Sequence, residues 1–348
     1  MKIAILGAGN TGKAYSAYLS DLGHSVILYD RDPQRLTPIA NHGIQATGAV
    51  NGTFFVPVTN QLQQAADSDL ILVCTTASGH RPLAAALSGQ LRPGQIILVT
   101  NGCWGAVEFD LELGKEADEK HCTICETGGQ LILCHSPAPH QVYLKTIKQT
   151  MALSCVHPSD TAPTLAKLQA IFPQFHTASS VLDTSLNNSN PVIHGPFLLF
   201  NATRLENGED YLLFGTGVTP QVAHVMEQVD AERVAVVRAC GVPAHSELEL
   251  LNSFWSQPQN SLYDVLHNTL SYQVTRGPKT LSHRYFTEDL PYGLVPYLKL
   301  GRKLGVDTPV LSSLLYLLGV YMQENYAEQG PDLVNLPLSR YLLQESSS

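Results

Sequence analysis

The chain has 348 residues, of which 44% are hydrophobic and 15% charged, and its formal net charge is −9. This length exceeds what one ordinary hydrophobic core occupies, so two domains are expected, and the composition is that of a globular protein. The negative charge argues against nucleic acid or an anionic membrane as a partner, because both are negatively charged and bind basic surfaces. A small anionic substrate stays allowed, since it needs only one or two local arginines.

The sequence shows no targeting or membrane signal. It opens with MKIAILGAGN, which enters a strand at once instead of an apolar leader with a cleavage site. The longest apolar segment, around 312–322, is too short to span a bilayer. We therefore expect a cytoplasmic protein.

Cysteine usage favours reduced thiols. Seven cysteines, an odd number, are scattered along the chain instead of forming a disulfide framework. Cys122 and Cys125 have the spacing of a metal motif, with Cys134 and His135 close behind. The segment reads as a strand, however, where an offset of three puts the two thiols on opposite faces, so no metal is predicted.

The first thirty residues predict a strand, a helix and a second strand. Residues 2–6 are a short buried strand, and 25–29 are another. Between them, 14–22 reads as a helix that ends at Gly23, with Leu19 and Leu22 facing inward.

A glycine-rich loop joins the first strand to this helix. Its sequence is Gly7-Ala8-Gly9-Asn10-Thr11-Gly12, the pattern GxGxxG. Gly7 allows a tight turn, Gly9 lets a pyrophosphate approach the backbone, and Gly12 allows close helix–strand packing. The phosphates are expected on the backbone N–H groups of Asn10, Thr11 and their neighbours at the helix N-terminus. In this context of strand, loop and helix, the motif predicts a dinucleotide site.

An acidic residue at the end of the second strand bears on which dinucleotide binds. Asp30 is placed to accept hydrogen bonds from the adenosine ribose hydroxyls, which favours NAD. Arg31 and Arg35 follow, and they could bind the 2′-phosphate of NADP or simply lie on a solvated face. NAD is preferred, and NADP stays open.

The pattern of strands and helices continues to about residue 183. SDLILVCTT is a strand that ends in the turn 78–80, where the nicotinamide side of a cofactor is expected. GQIILVTNG, a helix through 109–116 and the strand TICETGG follow, and ALSCVHP, APTLAKLQAIF and FHTASSV form the last unit. The prediction is a doubly wound Rossmann domain over 1–183.

After Asp183 the strand signals stop, and 184–348 is predicted to be an all-α helical domain. One helix begins with Thr219 as N-cap and Pro220 at its first position, and another begins the same way at 308–309. A third covers 294–304 and is stopped by Gly305. The apolar C-terminal helices could form a homodimer interface or the core of this domain.

Three motifs of the second half resemble the opine dehydrogenase family, which includes the octopine and nopaline dehydrogenases and their bacterial relatives. They are TSLNNSNPVIHGPFLLFNATRLENG, VDAERVAV and HRYFTEDLPYGLVPYLKLGRKLGVDTP. The resemblance covers nearly the whole chain. It implies an NAD(P)H-dependent reductive condensation of the amino group of an L-amino acid with a 2-oxo acid such as pyruvate, giving a secondary amine dicarboxylate.

The resemblance also implies roles for particular residues. The family's catalytic histidine falls on His194, and its carboxylate partner falls on Asp289. The arginine that grips substrate carboxylates falls on Arg284, five positions before that carboxylate. Asn190 takes the place of the asparagine ahead of the histidine, and Thr127 falls where a hydroxyl near the oxo acid is usual.

The chain departs from the family next to the histidine. Relatives commonly have proline directly after it, whereas here Gly195 intervenes before Pro196. This leaves the local helix geometry open. Pro191 and Pro196 flank His194, and we expect them to kink the helix and turn the ring toward the cleft.

The residue types suit the chemistry on their own account. Making a C–N bond requires loss of water from a carbinolamine and then hydride delivery to an imine, which needs a group that both donates and accepts protons near neutral pH. A carboxylate beside a buried histidine raises its pKa and selects its tautomer. An arginine presents two parallel donors to a carboxylate, which a lysine does not.

Several alternatives stay open. Glu288 is a rival to Asp289, Arg284 could be a surface ion pair, and Thr127 could be an ordinary strand threonine. A ketopantoate reductase or a 2-hydroxy acid dehydrogenase would share the two-domain plan, although no lysine lies in a comparable context near 190. A non-catalytic dinucleotide sensor would have no use for a histidine, aspartate and arginine together.

Overall fold

The computed structural model describes residues 1–188, 190–254 and 257–342. The chain divides into two compact units. The first is Met1–Ser185 together with the segment that begins at Ser339, and the second is Leu186–Leu338. The sequence places the boundary at 183, two residues earlier, and assigns the C-terminal segment to the second half.

Two sheets form the framework of the first unit. The strands are β1 (Lys2–Leu6), β2 (Ser25–Tyr29), β3 (Ile44–Gly48), β4 (Gly52–Phe54), β5 (Val58–Thr59), β6 (Leu70–Val73), β7 (Ile96–Val99), β8 (Thr123–Thr127), β9 (Ile132–His135), β10 (Gln141–Ile147), β11 (Met151–Cys155) and β12 (Phe175–Thr177). The larger sheet has the order β12-β11-β8-β7-β6-β1-β2-β5, and the smaller one has the order β4-β3-β10-β9. The smaller sheet is absent from the sequence-based prediction.

The larger sheet confirms the doubly wound prediction. Its paired strands are parallel except for β8 and β11, which are antiparallel. β6 and β7 are continuous apolar runs with every residue buried, as expected for central strands covered on both faces. Strand order reverses between β1 and β6, and ligands of such sheets bind beyond the carboxyl ends of the strands at this point.

The helices of the first unit connect these strands. They are α1 (Asn10–Asp21), α2 (Pro33–His42), α3 (Leu62–Ala66), α4 (His80–Leu87), α5 (Gly105–Glu119), α6 (Thr161–Leu168) and α7 (Val181–Leu186). The smaller sheet packs on α1. The prediction that Leu22 faces inward is wrong: α1 ends at Asp21, and Leu22 is 48% exposed. The chain has already begun its turn toward Gly23, whose φ is +81°.

The C-terminal segment is anchored on α5. Asp110 lies on this helix, and its two carboxylate oxygens accept hydrogen bonds from Arg340 Nη2 at 2.7 Å and from the Tyr341 hydroxyl at 2.8 Å. Tyr341 is fully buried. Gly114 makes room for this contact, since an added Cβ would lie 2.4 Å from Asp110 Oδ1. These polar contacts explain why the segment belongs to the first unit.

The second unit is helical, which confirms the predicted fold class. It contains α8 (Asn190–Glu206), α9 (Pro220–Ala239), α10 (Glu247–Phe254), α11 (Leu262–Asn268), α12 (Leu270–Gln273), the π-helix Tyr285–Leu294, α13 (Val295–Leu304) and α14 (Pro309–Met322). Among its described residues, extended pairing is limited to a single bridge between Leu212 and Arg276.

Helix caps in this unit follow the prediction at α9 and differ at α14. The Thr219 side chain accepts a hydrogen bond from the first turn of α9. Thr308 occupies the N-cap position of α14, but its side chain makes no capping bond. Glu232 of α9 replaces it, and its carboxylate accepts from the N–H groups of Val310 and Leu311, both at 2.8 Å. The cap therefore also ties α9 to α14.

The described part of the chain contains no helix long and apolar enough to cross a membrane. α14 is nevertheless apolar on its outer side, where Tyr316, Leu317 and Val320 are 50–71% exposed. The homodimer that the sequence left open stays a prediction.

A buried carboxyl group on α5 makes the stability of the first unit sensitive to pH. Glu108 is 7% exposed, and its Oε2 has no hydrogen-bond partner. Burial raises its pKa to about 7, with Arg81 opposing the shift and Glu112 adding to it. The folded state therefore holds the proton more tightly than the unfolded chain does. The contribution of Glu108 to the free energy of unfolding is fully present below the pKa that this carboxyl has in the unfolded chain, and it declines as the pH rises toward 7.

We expect Glu108→Gln to stabilise the protein at pH 8 by about 1–3 kcal/mol and to have little effect near pH 5. The amide cannot ionise, so it avoids the cost of a buried charge. Urea unfolding at the two pH values measures the difference. Glu119→Gln, at a position 65% exposed on the same helix, is the control and should show no such pH dependence. An equal effect of Glu108→Gln at both pH values would contradict this account.

Candidate active site

The glycine-rich loop has the geometry of a nucleotide cradle. Gly7 has φ +112°, and an added Cβ would lie 3.0 Å from the Cys74 carbonyl oxygen. An added Cβ on Gly12 would lie 1.8 Å from the Gly7 carbonyl oxygen, so neither glycine tolerates a side chain. At Gly9 no atom lies within 4 Å of an added Cβ, which leaves the backbone open to a ligand.

The helix that follows is suited to an anion. α1 begins at Asn10, and its N-cap residue, Gly9, offers no side chain to its first N–H groups. Asn10 is exposed and Thr11 is half-buried at this end. Backbone N–H groups and the helix dipole together favour a phosphate here. The residues present fit a dinucleotide.

Asp30 is fixed at the end of β2 by the loop itself. Its Oδ2 accepts a hydrogen bond from the Ala8 N–H at 2.8 Å, and its Oδ1 accepts from the Asp32 N–H at 3.0 Å. The residue is 7% exposed. Asp30 thus holds the glycine loop and still presents a carboxylate beside it, as recognition of a ribose requires.

The two arginines after Asp30 lie on the surface. Arg31 is exposed, and the Arg35 side chain is 62% exposed with Nη1 3.9 Å from Asp30 Oδ2. In this position the two arginines could contact the 2′-phosphate of NADP, or they could simply be solvated. The geometry leaves both NAD and NADP open.

In the second unit, His194 lies on α8. The helix begins at Asn190 and continues to Glu206, so neither Pro191 in its first turn nor Pro196 in its interior ends it. Proline is tolerated in a first turn because the N–H it lacks has no intrahelical partner there. His194 is 6% exposed.

A carboxylate lies directly beside the histidine. His194 Nδ1 and Asp289 Oδ2 are 3.0 Å apart, and both side chains are 8% exposed. Because an ionised carboxylate only accepts, Nδ1 carries the proton of this bond and Nε2 is left as the basic nitrogen. The contact joins residues 95 positions apart in the chain.

Two glycines allow the helices that carry this pair to approach each other. An added Cβ on Gly195 would lie 2.4 Å from Leu294 Cδ1, and one on Gly293 would lie 2.2 Å from Pro191 Cγ. Each glycine therefore faces a side chain of the opposite helix with no space between. This resolves the departure noted in the sequence: Gly195 allows the close packing of α8 on the π-helix.

On the π-helix, Asp289 and not Glu288 meets the histidine. With i→i+5 hydrogen bonding, residues four and five positions apart lie on neighbouring parts of one face. Glu288 Oε2 bonds instead to Arg284 Nη1 at 3.2 Å. The two carboxylates therefore have separate partners.

Arg284 remains available for a ligand although it has this ion pair. Its side chain is 50% exposed. Burial opposes its charge, but Asp289 and Glu288 outweigh burial and raise its pKa, so it stays charged. A guanidinium held by one carboxylate and open on its other edge can bind a second carboxylate.

Asn190 and Thr127, the other two candidates for substrate binding, lie in different units. Asn190 is exposed at the start of α8, one turn before His194. Thr127 is fully buried at the end of β8, in the first unit. Its hydroxyl accepts from the Asn101 N–H and donates to the Gly129 carbonyl, both at 2.9 Å. Thr127 thus holds two loops together.

A strained turn after β7 is a feature that the sequence analysis missed. Four consecutive residues have positive φ, namely Asn101, Gly102, Cys103 and Trp104, at +55° to +93°. Three of them are not glycine, and such residues rarely adopt this conformation except at functional sites. The Asn101-Gly102 dipeptide, a common turn former, was the available signal.

Glu126 is the second missed residue, and it helps to hold this turn. It is completely buried, and its carboxyl oxygens accept from Thr184 Oγ1 at 2.7 Å, from Ser185 Oγ at 2.6 Å and from the Ala106 N–H at 2.9 Å. Burial raises its pKa, while these three donors lower it. An acidic residue inside a buried strand was the signal for it.

The motif VDAERVAV has a structural role. Arg233 is fully buried and pairs with Asp230 at 2.8 Å. It also donates to the carbonyls of Leu186 and His245. These contacts fix the start of the unit to α9, so the motif supports the site without forming part of it.

Two family models match successive parts of the chain. The family model for NAD/NADP octopine/nopaline dehydrogenase, alpha-helical domain, matches residues 177–322. The model for ketopantoate reductase PanE/ApbA matches residues 3–152. The structure of octopine dehydrogenase with NADH and L-arginine has a TM-score of 0.77 at 16% identity, covering 93% of this chain and 90% of that one. Yersinopine dehydrogenase with NADP⁺ bound has a TM-score of 0.75 at 16% identity, covering 93% and 91%.

These matches and the two units define an NAD(P)-dependent oxidoreductase that acts on CH–NH groups. The opine dehydrogenase of Arthrobacter sp. (strain 1C) is 35% identical over 341 residues, which cover 97% of this chain and 95% of the relative. The chain belongs to the opine dehydrogenase family, which confirms the resemblance inferred from its motifs. The first unit accounts for the ketopantoate reductase alternative, because the family model of those enzymes matches residues 3–152.

We expect Gly195→Ala to destabilise the protein by about 1–3 kcal/mol, although alanine normally stabilises a helix interior. The new methyl would meet Leu294 Cδ1 and force α8 away from the π-helix. Urea unfolding measures the change. In the double variant Gly195→Ala/Leu294→Ala the obstructing atoms are removed. Its loss in free energy of unfolding should therefore be smaller than the sum of the losses in the two single variants. A Gly195→Ala protein as stable as the wild type would contradict the packing argument.

Proposed function

We propose that this protein is an NAD(P)H-dependent opine dehydrogenase that condenses an L-amino acid with a 2-oxo acid, such as pyruvate, using His194 as general acid and base. The observation that supports this most directly is the 3.0 Å bond between His194 Nδ1 and Asp289 Oδ2. A buried histidine that is paired with a buried carboxylate and keeps its second nitrogen for chemistry suits such a role.

His194 would move protons at Nε2. As the amine adds to the carbonyl, Nε2 takes the proton that the nitrogen loses and passes it to the carbonyl oxygen, which gives the carbinolamine. Nε2 then takes a second proton from solvent and gives it to the carbinolamine hydroxyl, which leaves as water and gives the protonated imine. Asp289 holds Nδ1–H throughout and stabilises the positive ring. Bound NAD(P)H supplies the hydride that reduces the C=N bond.

Arg284 would bind a substrate carboxylate. Both substrates and the product carry carboxylates, and Arg284 is half-exposed with a guanidinium already oriented by Glu288. A bidentate contact would fix the carbonyl carbon relative to the acid–base group. Asn190, one turn before His194, would add a polar contact, and Thr127 would act near the oxo acid through the loops it holds.

The remaining assignments follow the two units. Residues 1–183 would bind the dinucleotide through Gly7, Gly9, Gly12 and Asp30, and 184–348 would contain the catalytic residues. NAD is proposed over NADP, because Asp30 is held beside the loop whereas Arg31 is exposed. No nucleic acid or membrane partner is proposed, and the cytoplasmic location stays a prediction from the sequence.

We expect oxidation of NADH to require both a 2-oxo acid and an L-amino acid. Absorbance of NADH and NADPH is followed with pyruvate or 2-oxoglutarate, with and without a panel of L-amino acids. The proposal predicts faster oxidation of NADH than of NADPH. Oxidation by the oxo acid alone would favour a 2-hydroxy acid dehydrogenase or a ketopantoate reductase instead.

We expect His194→Ala to lower kcat by about a hundredfold or more and Asp289→Asn to lower it by a smaller factor. The first loses the proton carrier, and the second loses the charge that stabilises it. NADH binding, measured by fluorescence, should be unchanged because both residues lie outside the first unit. His224→Ala, at a side chain 68% exposed on α9, is the control and should keep full activity. Turnover retained in His194→Ala would mean that another group carries the proton.

A further inference from the structure

We propose that Tyr285 is a positioning residue for His194, whose ring restrains the plane of the imidazole and stabilises its protonated form. The inference rests on the proposed role of His194 as acid and base. The ring centroids of His194 and Tyr285 are 3.6 Å apart, and the planes are inclined by 18°. This is a face-to-face contact at van der Waals distance.

The hydrogen bond to Asp289 alone leaves the imidazole one degree of freedom. A single contact at Nδ1 still permits the ring to rotate by a limited angle about its Cβ–Cγ bond, and that rotation changes the direction of Nε2. A flat ring lying against one face removes this rotation. Bond and stack together therefore fix the direction in which Nε2 gives and takes a proton, as efficient transfer requires.

The stack also acts on charge. The face of a phenol ring is electron-rich, so it attracts a cation lying over it. When Nε2 takes a proton the imidazole becomes such a cation, and Tyr285 stabilises it more than it stabilises the neutral ring. The hydroxyl does not compete by ionising, because burial and the nearby Asp289 carboxylate raise the pKa of Tyr285.

Tyr285 is itself held in place. It lies at the first position of the π-helix, and His283 packs edge-on against its ring with centroids 4.3 Å apart and an angle of 82°. The Arg284 guanidinium carbon is 5.8 Å from the same centroid. Tyr285 is therefore enclosed between two histidines, one on its face and one at its edge.

The charged and titratable groups that the structure places around the pair lie, apart from Tyr211, on the π-helix or directly before it. They are Asp289, Glu288, Arg284 and His283. Burial lowers the pKa of His283, with Arg284 and His194 adding to that shift and Asp289 opposing it. Tyr211, outside the π-helix, acts on Tyr285. Substitutions at Tyr285 leave all of these groups in place, so the variants can be compared at constant surrounding charge.

The test compares Tyr285→Leu, which removes the ring, with Tyr285→Phe, which keeps the ring and loses only the hydroxyl. Imidazole titration is followed by NMR in the full-length protein, with the His194 signal assigned by its loss in His194→Gln. We expect Tyr285→Leu to lower the pKa of His194 by about half a unit to one unit. The Tyr285→Phe variant, which keeps the ring, should show the same His194 titration as the wild type. Circular dichroism and urea unfolding verify that both variants are folded.

Kinetics supply the second readout. In Tyr285→Leu we expect kcat to fall by about tenfold with KM changed less than threefold, and the acid limb of the kcat profile to move to lower pH. A Leu variant that titrates like the wild type, or a Phe variant shifted as far as Leu, would overturn the proposal. NMR titration does not depend on turnover, so absence of opine synthesis would reject the proposed function while leaving the stacking testable.

Discussion

The second unit depends on one close contact, between α8 and the π-helix. Histidine and aspartate meet at hydrogen-bond distance only because the two helices approach with glycines at the interface. Gly195 faces Leu294, and Gly293 faces Pro191, in both cases with no room for a methyl group. Interiors packed to this density transmit even small displacements, so the geometry of the pair is set by the backbones and not by the two side chains alone.

The π-helix is the second constraint on this pair. Arg284, Glu288 and Asp289 lie four and five positions apart, so the wider turn places both carboxylates near the same face of the helix. Within this segment Glu288 bonds to Arg284 and Asp289 bonds to His194. π-Helical segments cost hydrogen-bond quality and are frequently found at functional sites.

The first unit uses the same principle at its glycine loop and after β7. Asp30 holds the glycine loop by accepting the Ala8 N–H, and its other oxygen accepts the Asp32 N–H, so an acidic side chain is held where a ribose is expected. Glu126 accepts from the N-terminus of α5, directly after a turn with four positive φ values. In both places a buried carboxylate stabilises backbone that hydrophobic packing alone would not hold.

The sequence by itself determined the class of fold and the family, and it pointed to the glycine loop and His194 as candidates, because these depend on local spacing: three glycines after a strand, helix caps, and motifs that resemble a known family. It did not decide between Glu288 and Asp289, since adjacent residues differ only in the direction that the helix gives them. Nor did it reveal the stack of Tyr285 on His194, the smaller sheet or the return of the C-terminal segment. Those features join residues far apart in the chain, and only tertiary packing decides which distant groups come within a few ångströms of each other.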